Sequence, residues 1–564
     1  MRIFKFLPVV GLLLLQYLPL VHAGVTLTQS TFEWKVYNYS VNSDYSLGSG
    51  PDYNTVVKKD FKSYILENEY LKVTVVPEFG GRIVSMIYKP TGHEELYHPQ
   101  IGHPQAKGQG SFYFDWLIVL GGISPTLTAP EHGKYWMLPW SVDIVEQTNK
   151  CISIKMSQID SVVFNRCPQR FAPYGKTGIT CSFTVSLSEG KTSVDIGIIN
   201  KNPGSAEQSY EYWTCTAMAP GSDPADPRIN GNTELQIPID KVRIVDDWCQ
   251  SIKQVDQSLG NNLYTFNKLR YFKNWPDMGI LYAPENFSQN YWGVINHDDP
   301  RNEGIFRICD NKETKGVKIW AWEYQTAISK TPIKNGLMHQ PFFEVWGGVS
   351  DRFFTQVKLA AGATKEWVEH YSPVVGIDSI THASEDVLLK FRINKKSFDG
   401  ATDTNVTISC DLFSVVPKAG VFCTIQFENT DAKSIVYSKE ITPDMVKGNS
   451  ILLKVPCREI YNGFTRVCAV ITNKDGREMI NAKVDGLQFV HCSNETPVSI
   501  VKRNNFSNIT QECHKNNNVT LYSSNGKRIG TIGAGKRVSE MSLPEGIYFI
   551  RNLNGTISRL VQIH

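Results

Sequence analysis

Residues 71–98 read LKVTVVPEFGGRIVSMIYKPTGHEELYH. Apolar and polar residues alternate before Pro77 and again after Arg82, the period of strands that bury one face. Between the two runs stands Gly80-Gly81, a pair that can adopt backbone angles closed to other residues and let a second segment approach closely. The stretch therefore reads as two strands joined by a glycine turn, with Arg82 at the start of the second. Two roles are open for that arginine: a structural salt bridge, or a donor reaching into a cleft.

The same texture extends along the chain. "TGITCSFTVSLS" (177–188), "KTSVDIGIIN" (191–200), "TELQIPI" (233–239) and "GVKIWAWEY" (316–324) are rich in Val, Ile, Thr and aromatics and are bounded by Gly, Pro, Asn or Asp. No long amphipathic helix is legible, so an all-β protein is expected. The aromatic-rich body ends at "YSPVVGI" (371–377), and the last of twelve tryptophans is Trp367. From residue 384 to 492 strand-like runs recur at about ten-residue spacing, the pattern of an immunoglobulin-like β-sandwich. Residues 493–514 are polar and Asn-rich and read as a linker. Residues 515–564 form a small β-unit with Asn-Gly turns in "SSNGK" and "NLNGT".

The first 23 residues have a short basic start at Arg2 and Lys5, an apolar run and the small-residue site Val21-His22-Ala23, which together read as a secretory signal peptide cut before Gly24. No later run is long and apolar enough for a transmembrane segment. Twelve cysteines in an oxidising compartment predict some disulfides. Neither CxxC, HExxH nor an EF-hand loop occurs, so no metal site is expected, and without a nucleotide or flavin fingerprint no organic cofactor either. The net charge of +3 is concentrated at the end, where residues 501–564 carry nine Lys/Arg against three Asp/Glu. The body is mildly acidic, which argues against a nucleic-acid partner.

In the opening stretch, P-x-x-G-G-R-I at 77–83 followed by the hairpin "TGHEELYH" resembles the N-terminal strands of the galactose-mutarotase-like β-supersandwich. Further pieces occur in order: "GGISPTLTAPEHG" (121–133), "YEYWTCTAMAPG" (210–221), "GVKIWAWEY" and "FFEVWGGVSDRFFTQVKLAAGATKEWVEHYSPVVGI" (342–377). Together they resemble one bacterial family of that superfamily and imply such a domain over residues 24–380. The chain departs from the family pattern at Trp346, where glutamine is common, and at Ala361, where proline is. The last fifty residues, with "LPEGIYFIR" and a final basic strand, resemble the C-terminal sorting domain of the type IX secretion system of Bacteroidetes. That resemblance implies export through periplasm and outer membrane by the type IX machinery, with release or attachment at the cell surface.

Independently of any family, the residues suit a sugar site. Pyranose rings stack their C–H faces on aromatics, and their hydroxyls require charged or forked hydrogen-bond partners. Trp213, Trp320, Trp322 and Trp346 sit in strand-like segments beside Glu211, Glu323 and Glu344. Trp320 and Trp322 share one strand face, either a dry core or a stacking platform. His132, beside Glu131 in the turn-like "APEHGKYW", is available for proton transfer. Glu344, between phenylalanines and a tryptophan, is either solvent-facing or a cleft carboxylate of raised pKa.

The mutarotase resemblance implies that Glu344 is the counterpart of the base that removes the anomeric hydroxyl proton. It implies that His132 is a looser counterpart of a sugar-binding histidine and that Arg82 binds sugar hydroxyls or a carboxylate. The central-strand histidine of mutarotases has no equivalent in "EYWTC", where Glu211 or Tyr212 would have to substitute. His297, in a polar turn, is a further candidate. His93, His98 and His103, spaced by five, suit neither a helix nor a strand face for metal binding and are expected in loops.

The expectation is thus a secreted or surface-attached protein acting on a glycan or monosaccharide by Glu/His chemistry, whether as an epimerase, hydrolase or lyase. The alternative is a non-catalytic glycan-binding or adhesion protein.

Overall fold

A computed structural model describes residues 24–42, 47–105, 117–119, 121–128, 133–162, 176–284, 287, 289–322 and 342–495, and four C-terminal strands. Strands dominate throughout, and the single α-helix among the described residues, Gln250–Lys253, is four residues long. The all-β expectation holds. No helix is long and apolar enough to cross a membrane among the described residues.

The strands up to Thr364–Val374 are shared mainly between two large sheets of thirteen and eight strands. In the larger, a meander runs from Thr26–Val41 through Leu47–Glu67, Leu71–Val76 and Arg82–Tyr88 to His93–Leu96. It continues through Tyr212–Ser222, Phe342–Gly348, Gly316–Trp322 and Gly279–Tyr282, while Gly122–Leu127 pairs with both Arg82–Tyr88 and Tyr212–Ser222. Segments far apart in sequence thus become neighbours at its centre. The smaller sheet carries Thr233–Gln236, Tyr291–Asn296, Gly304–Ile308, Thr364–Val374 and Val194–Lys201 among its strands. One hydrophobic core holds residues from both sheets, including Val73, Ile83 and Met86 from one and Ile154, Ile196 and Phe306 from the other.

The alternation read from the sequence is the alternation of burial. Cys181, Phe183, Val185 and Leu187 on Thr180–Ser188 are buried while the residues between them are not. The opening hairpin forms as expected, with Val76 opposite Arg82 and a bulge beside Val75. Gly80 and Gly81 both have positive φ, +72° and +60°. A Cβ on Gly80 would lie 1.8 Å from the Trp136 carbonyl oxygen, and one on Gly81 would lie 2.7 Å from the Trp140 ring. The pair is required both by the turn and by the segment packed over it.

Two four-stranded sheets follow, built from Val387–Ile393, Asn405–Ser414 and Asn449–Pro456 with a short edge, and from Lys433–Ile441, Val421–Glu428, Arg466–Thr472 and Glu478–Asp485. They enclose their own core, including Ile408, Ile425, Phe427 and Ala469. The two bodies touch where Tyr88 Oη donates to the Met445 carbonyl at 2.7 Å. The four C-terminal strands, Val519–Ser523, Arg528–Ile532, Gly546–Arg551 and Ile557–Ile563, pair in one antiparallel sheet.

Two expectations are corrected. The ten cysteines among the described residues are free thiols. His93 and His103 open strands instead of lying in loops, while His98 follows His93–Leu96 in a loop, where burial pushes its pKa down to about 4. The proposed signal peptide and linker lie outside the described residues, apart from Ser493–Glu495 at the start of the latter.

Candidate functional site

Register across the centre of the large sheet brings a row of polar side chains together. Cys215 on Tyr212–Ser222 pairs with Ser124 on one side and Trp346 on the other, and Trp346 pairs with Lys318. The Ile83–Ile123 pair sets Arg82 beside Ser124 at the other end of the row. In the adjacent row Ala217, Glu344 and Trp320 stand side by side. Side chains two residues apart on a strand share a face, so Trp213, Cys215, Glu344, Trp346, Lys318 and Trp320 lie on one face of the sheet. The opposite face supplies Val345, Ile319 and Phe343 to the core.

This face is closely packed. Trp213 and Trp346 are fully buried, and each ring packs edge-on against Phe353 at centroid distances of 5.0 and 5.4 Å. Glycine makes room for them: a Cβ on Gly348 would lie 2.2 Å from the Trp213 ring, and one on Gly316 2.6 Å from it. Each indole N–H donates to the glutamate two residues before it, Trp346 to Glu344 at 3.1 Å and Trp213 to Glu211 at 3.2 Å. Lys318 places its ammonium 4.2 Å from the Trp346 ring centroid and 4.0 Å from that of Phe353, within cation–π range. Trp320 is partly exposed and packs against Phe342.

Arg82 answers the question its position poses. Its Nε donates to the Phe79 carbonyl at 2.8 Å and an Nη to the Trp136 carbonyl, and its guanidinium lies over both rings. It thereby ties its own turn to the Trp136 segment, while its charge lies near enough to Glu344 and Cys215 to stabilise their anions. Burial lowers its pKa to about 9, which leaves it a cation at neutral pH.

Glu344 is 6% exposed. Burial pushes its pKa up to about 7 against the opposing pull of Lys318, of hydrogen bonds from Trp346 and Cys215, and of Arg82. The Cys215 thiol is pushed well above its ordinary value, first by burial and then by Glu344. The arrangement is a carboxyl that exchanges a proton near neutrality, flanked by two fixed cations and walled by indoles. Such a group can serve as general acid or base.

Of the residues expected from sequence, Glu344, Glu211, Arg82, Trp213, Trp346 and Trp320 gather on or beside this face. Trp322 continues the strand opposite Phe342. His297 does not join them. It lies in a turn of the smaller sheet, where Nε2 meets Glu234 at 2.9 Å and Nδ1 meets Asn302 at 3.0 Å. The Glu234 hydrogen bond leads the causes that raise its pKa. Glu131 and His132 lie outside the described residues. Lys318 and Cys215 were missed, although both carry a signal: they stand two residues from Trp320 and from Trp213 in alternating strands.

Residues 34–374 match the family described as "Domain of unknown function (DUF5107)", and the chain belongs to that family. Among solved structures, it is similar to a TPR-domain containing protein from Parabacteroides distasonis (17% identity, TM-score 0.47), covering 62% of this chain and 55% of that one. It is also similar to a putative aldose 1-epimerase from Klebsiella pneumoniae (12% identity, TM-score 0.39; 62% and 91% covered). A galactose mutarotase-like protein from Clostridium acetobutylicum is a third (10% identity, TM-score 0.37; 56% and 96% covered).

Proposed function

We propose that this member of the DUF5107 family is an exported carbohydrate-active protein whose Glu344 face binds a sugar and exchanges a proton with it. The observation that carries the reading is the assembly of Glu344, Lys318, Arg82 and Cys215 with three tryptophans on one sheet face. Of the three indoles, the partly exposed Trp320 suits the C–H face of a pyranose, and a carboxyl titrating near 7 suits acid–base work on its hydroxyls or ring oxygen. Trp320, being partly exposed, stands where a sugar would enter. Glu211, held by Trp213, is the second carboxyl through which a proton could be returned.

In the same reading, residues 1–23 direct export and residues 515–564 act as a type IX sorting module that delivers the protein outside the cell or to its surface. The sequence features behind this are the apolar leader and the "SSNGK" and "LPEGIYFIR" turns. Deletion of 515–564 in a host with that secretion system should strand the protein in the periplasm; unchanged release would reject the assignment.

The site itself is tested by incubating the purified chain with a panel of aldoses, uronic acids and oligosaccharides and following products by NMR. Turnover abolished by Glu344→Gln with binding retained supports the proposal. Binding without turnover in both forms would assign the face to a glycan-binding surface protein instead.

A further inference from the structure

On the opposite side of Tyr212–Ser222 from the strand that carries Glu344, acidic groups from both large sheets converge. His93 opens the strand His93–Leu96, while Asp299 and Glu303 flank the turn between Tyr291–Asn296 and Gly304–Ile308 on the other sheet. His93 Nδ1 lies 2.7 Å from Glu303 Oε2 and 3.8 Å from Asp299 Oδ2. Ligand atoms of these three residues all lie within 4.8 Å of one another. Bonds to a first-row divalent ion are about 2.0–2.2 Å, so donors on opposite sides of one stand roughly 4 Å apart. A coordination shell requires a small closure of this geometry and withdrawal of the Arg301 guanidinium, whose Nη2 lies 3.2 Å from both His93 Nε2 and Asp299 Oδ2.

An acidic cluster alone would not identify a ligand; Glu95 does. It is fully buried, neither of its carboxylate oxygens accepts from a donor group, and its hydrogen-bonding contact is the carboxyl of Glu303, an acceptor too unless the two share a proton. Its carboxyl faces Glu303, with Glu94 and Asp299 also close. Glu94 is differently placed, because it accepts from Ser85 Oγ and from the backbone N–H groups of Met86 and Leu96. Buried carboxylates without partners are costly, and here the missing partner has a sign. Glu95, Asp299 and Glu303 face one guanidinium, that of Arg301, which bonds Asp299 at 3.2 Å and approaches Glu303 at 3.9 Å. With all three ionised, three carboxylates against one guanidinium would carry a formal charge of −2, which one divalent ion would cancel.

The surroundings leave a way in and pack closely around the carboxylates. Opposite Glu95 the strand ladder is broken between Met218 and Ser222. Gly221, at φ +73°, lies there, and a Cβ on it would sit 3.2 Å from Asp299 Oδ2. His93 and Arg301 are 25% and 30% exposed, so an ion can enter past them. An imidazole nitrogen beside carboxylate oxygens suits manganese or zinc better than calcium or magnesium, which favour all-oxygen shells.

We propose that His93, Glu95, Asp299 and Glu303 bind one divalent transition-metal ion of the manganese or zinc class, clamping the two sheets at this end. No sequence motif announced it, because Glu303 is 210 residues from His93.

The test uses the full chain, stripped with EDTA and titrated with manganese chloride alone, with free Mn2+ followed by its paramagnetic resonance signal. Manganese avoids the free thiols, which would take up zinc. The expected result is one Mn2+ bound per chain, a raised unfolding temperature, and affinity weakened about tenfold or more in Glu95→Gln. His93→Gln, at a partly exposed position, provides a second variant should Glu95→Gln not fold. Mn2+ remaining free in the presence of the wild-type chain overturns the proposal. Equal binding by the variants that fold overturns it too, as would a Glu95–Glu303 pair that simply shares a proton.

Discussion

The indole N–H of Trp346 donates to the carboxylate of Glu344 at 3.1 Å, two residues back along the same strand face. The contact fixes the carboxyl against a fully buried ring, so whether Glu344 is ionised is decided by its burial and by the few charges around it.

A stability consequence follows from the sign of that shift. The folded protein holds the Glu344 proton up to about pH 7, whereas the unfolded chain releases it near the ordinary value of 4.5. Between those limits the native state binds more protons, so the contribution of Glu344 to stability falls as pH rises. Glu94, also pushed to about 7 by burial, adds a parallel slope. The diagnostic quantity is therefore the difference between wild type and Glu344→Gln. In urea titrations, the variant should gain on wild type by up to ~3 kcal/mol from pH 4.5 to 7 and then level off. A difference independent of pH would mean that the carboxyl is not desolvated.

Lys318 is the charge that most strongly opposes burial at Glu344. Lys318→Met removes it while keeping an apolar stem against Trp346 and Phe353. The Glu344 titration, read as the stability difference between this variant with and without Glu344→Gln, should then have its midpoint above pH 7. An unmoved midpoint would show that the ammonium does not act on the carboxylate.

Two glycines in successive turns of the opening stretch make a controlled pair. Gly80 and Gly92 have similar positive φ, +72° and +78°, but a Cβ on Gly80 would collide with the Trp136 carbonyl while one on Gly92 would meet nothing within 4 Å. Gly92→Ala should cost about 1–2 kcal/mol, the backbone term alone. Gly80→Ala should cost clearly more and also disturb the Arg82 anchor. Equal losses in thermal unfolding would contradict the packing described for this turn.

Glu369 and Arg307 form a fully buried pair between neighbouring strands, with contacts of 2.9 and 2.8 Å, and Glu369 also accepts from Trp367, Tyr371 and Thr214. Burial acts to raise the Glu369 pKa, yet Arg307 and these donors hold it below the usual carboxylate range. Glu369→Gln leaves a buried guanidinium without its counter-charge and should destabilise the protein by about 3–5 kcal/mol. A loss under about 1 kcal/mol in denaturant unfolding would show that the pair is not dry.

The strands were legible because their signal is local. The run around Val194–Lys201 alternates visibly, and so does its burial. The strands of the two four-stranded sheets that follow were likewise visible as recurring short runs. The site was half legible. Trp213, Trp346 and Glu344 stand out as aromatic and acidic residues in apolar strands, but their meeting depends on register between strands some 130 residues apart. Lys318 was hidden by its type, since a lysine in a strand usually marks the solvent face, whereas here it points at two aromatic rings. His297 was misleading for the converse reason: a histidine among acidic residues resembles a proton carrier, and its partner Glu234 lies on a neighbouring strand of the smaller sheet, away from the indoles.

The most direct test of the central claim is NMR observation of anomeric and ring-proton signals of candidate sugars mixed with wild type and with Glu344→Gln. A sugar that both forms bind, and that only wild type converts, is the predicted result. Failure of every sugar to bind, or conversion undiminished in Glu344→Gln, would contradict the assignment of this sheet face as a carbohydrate site built around Glu344.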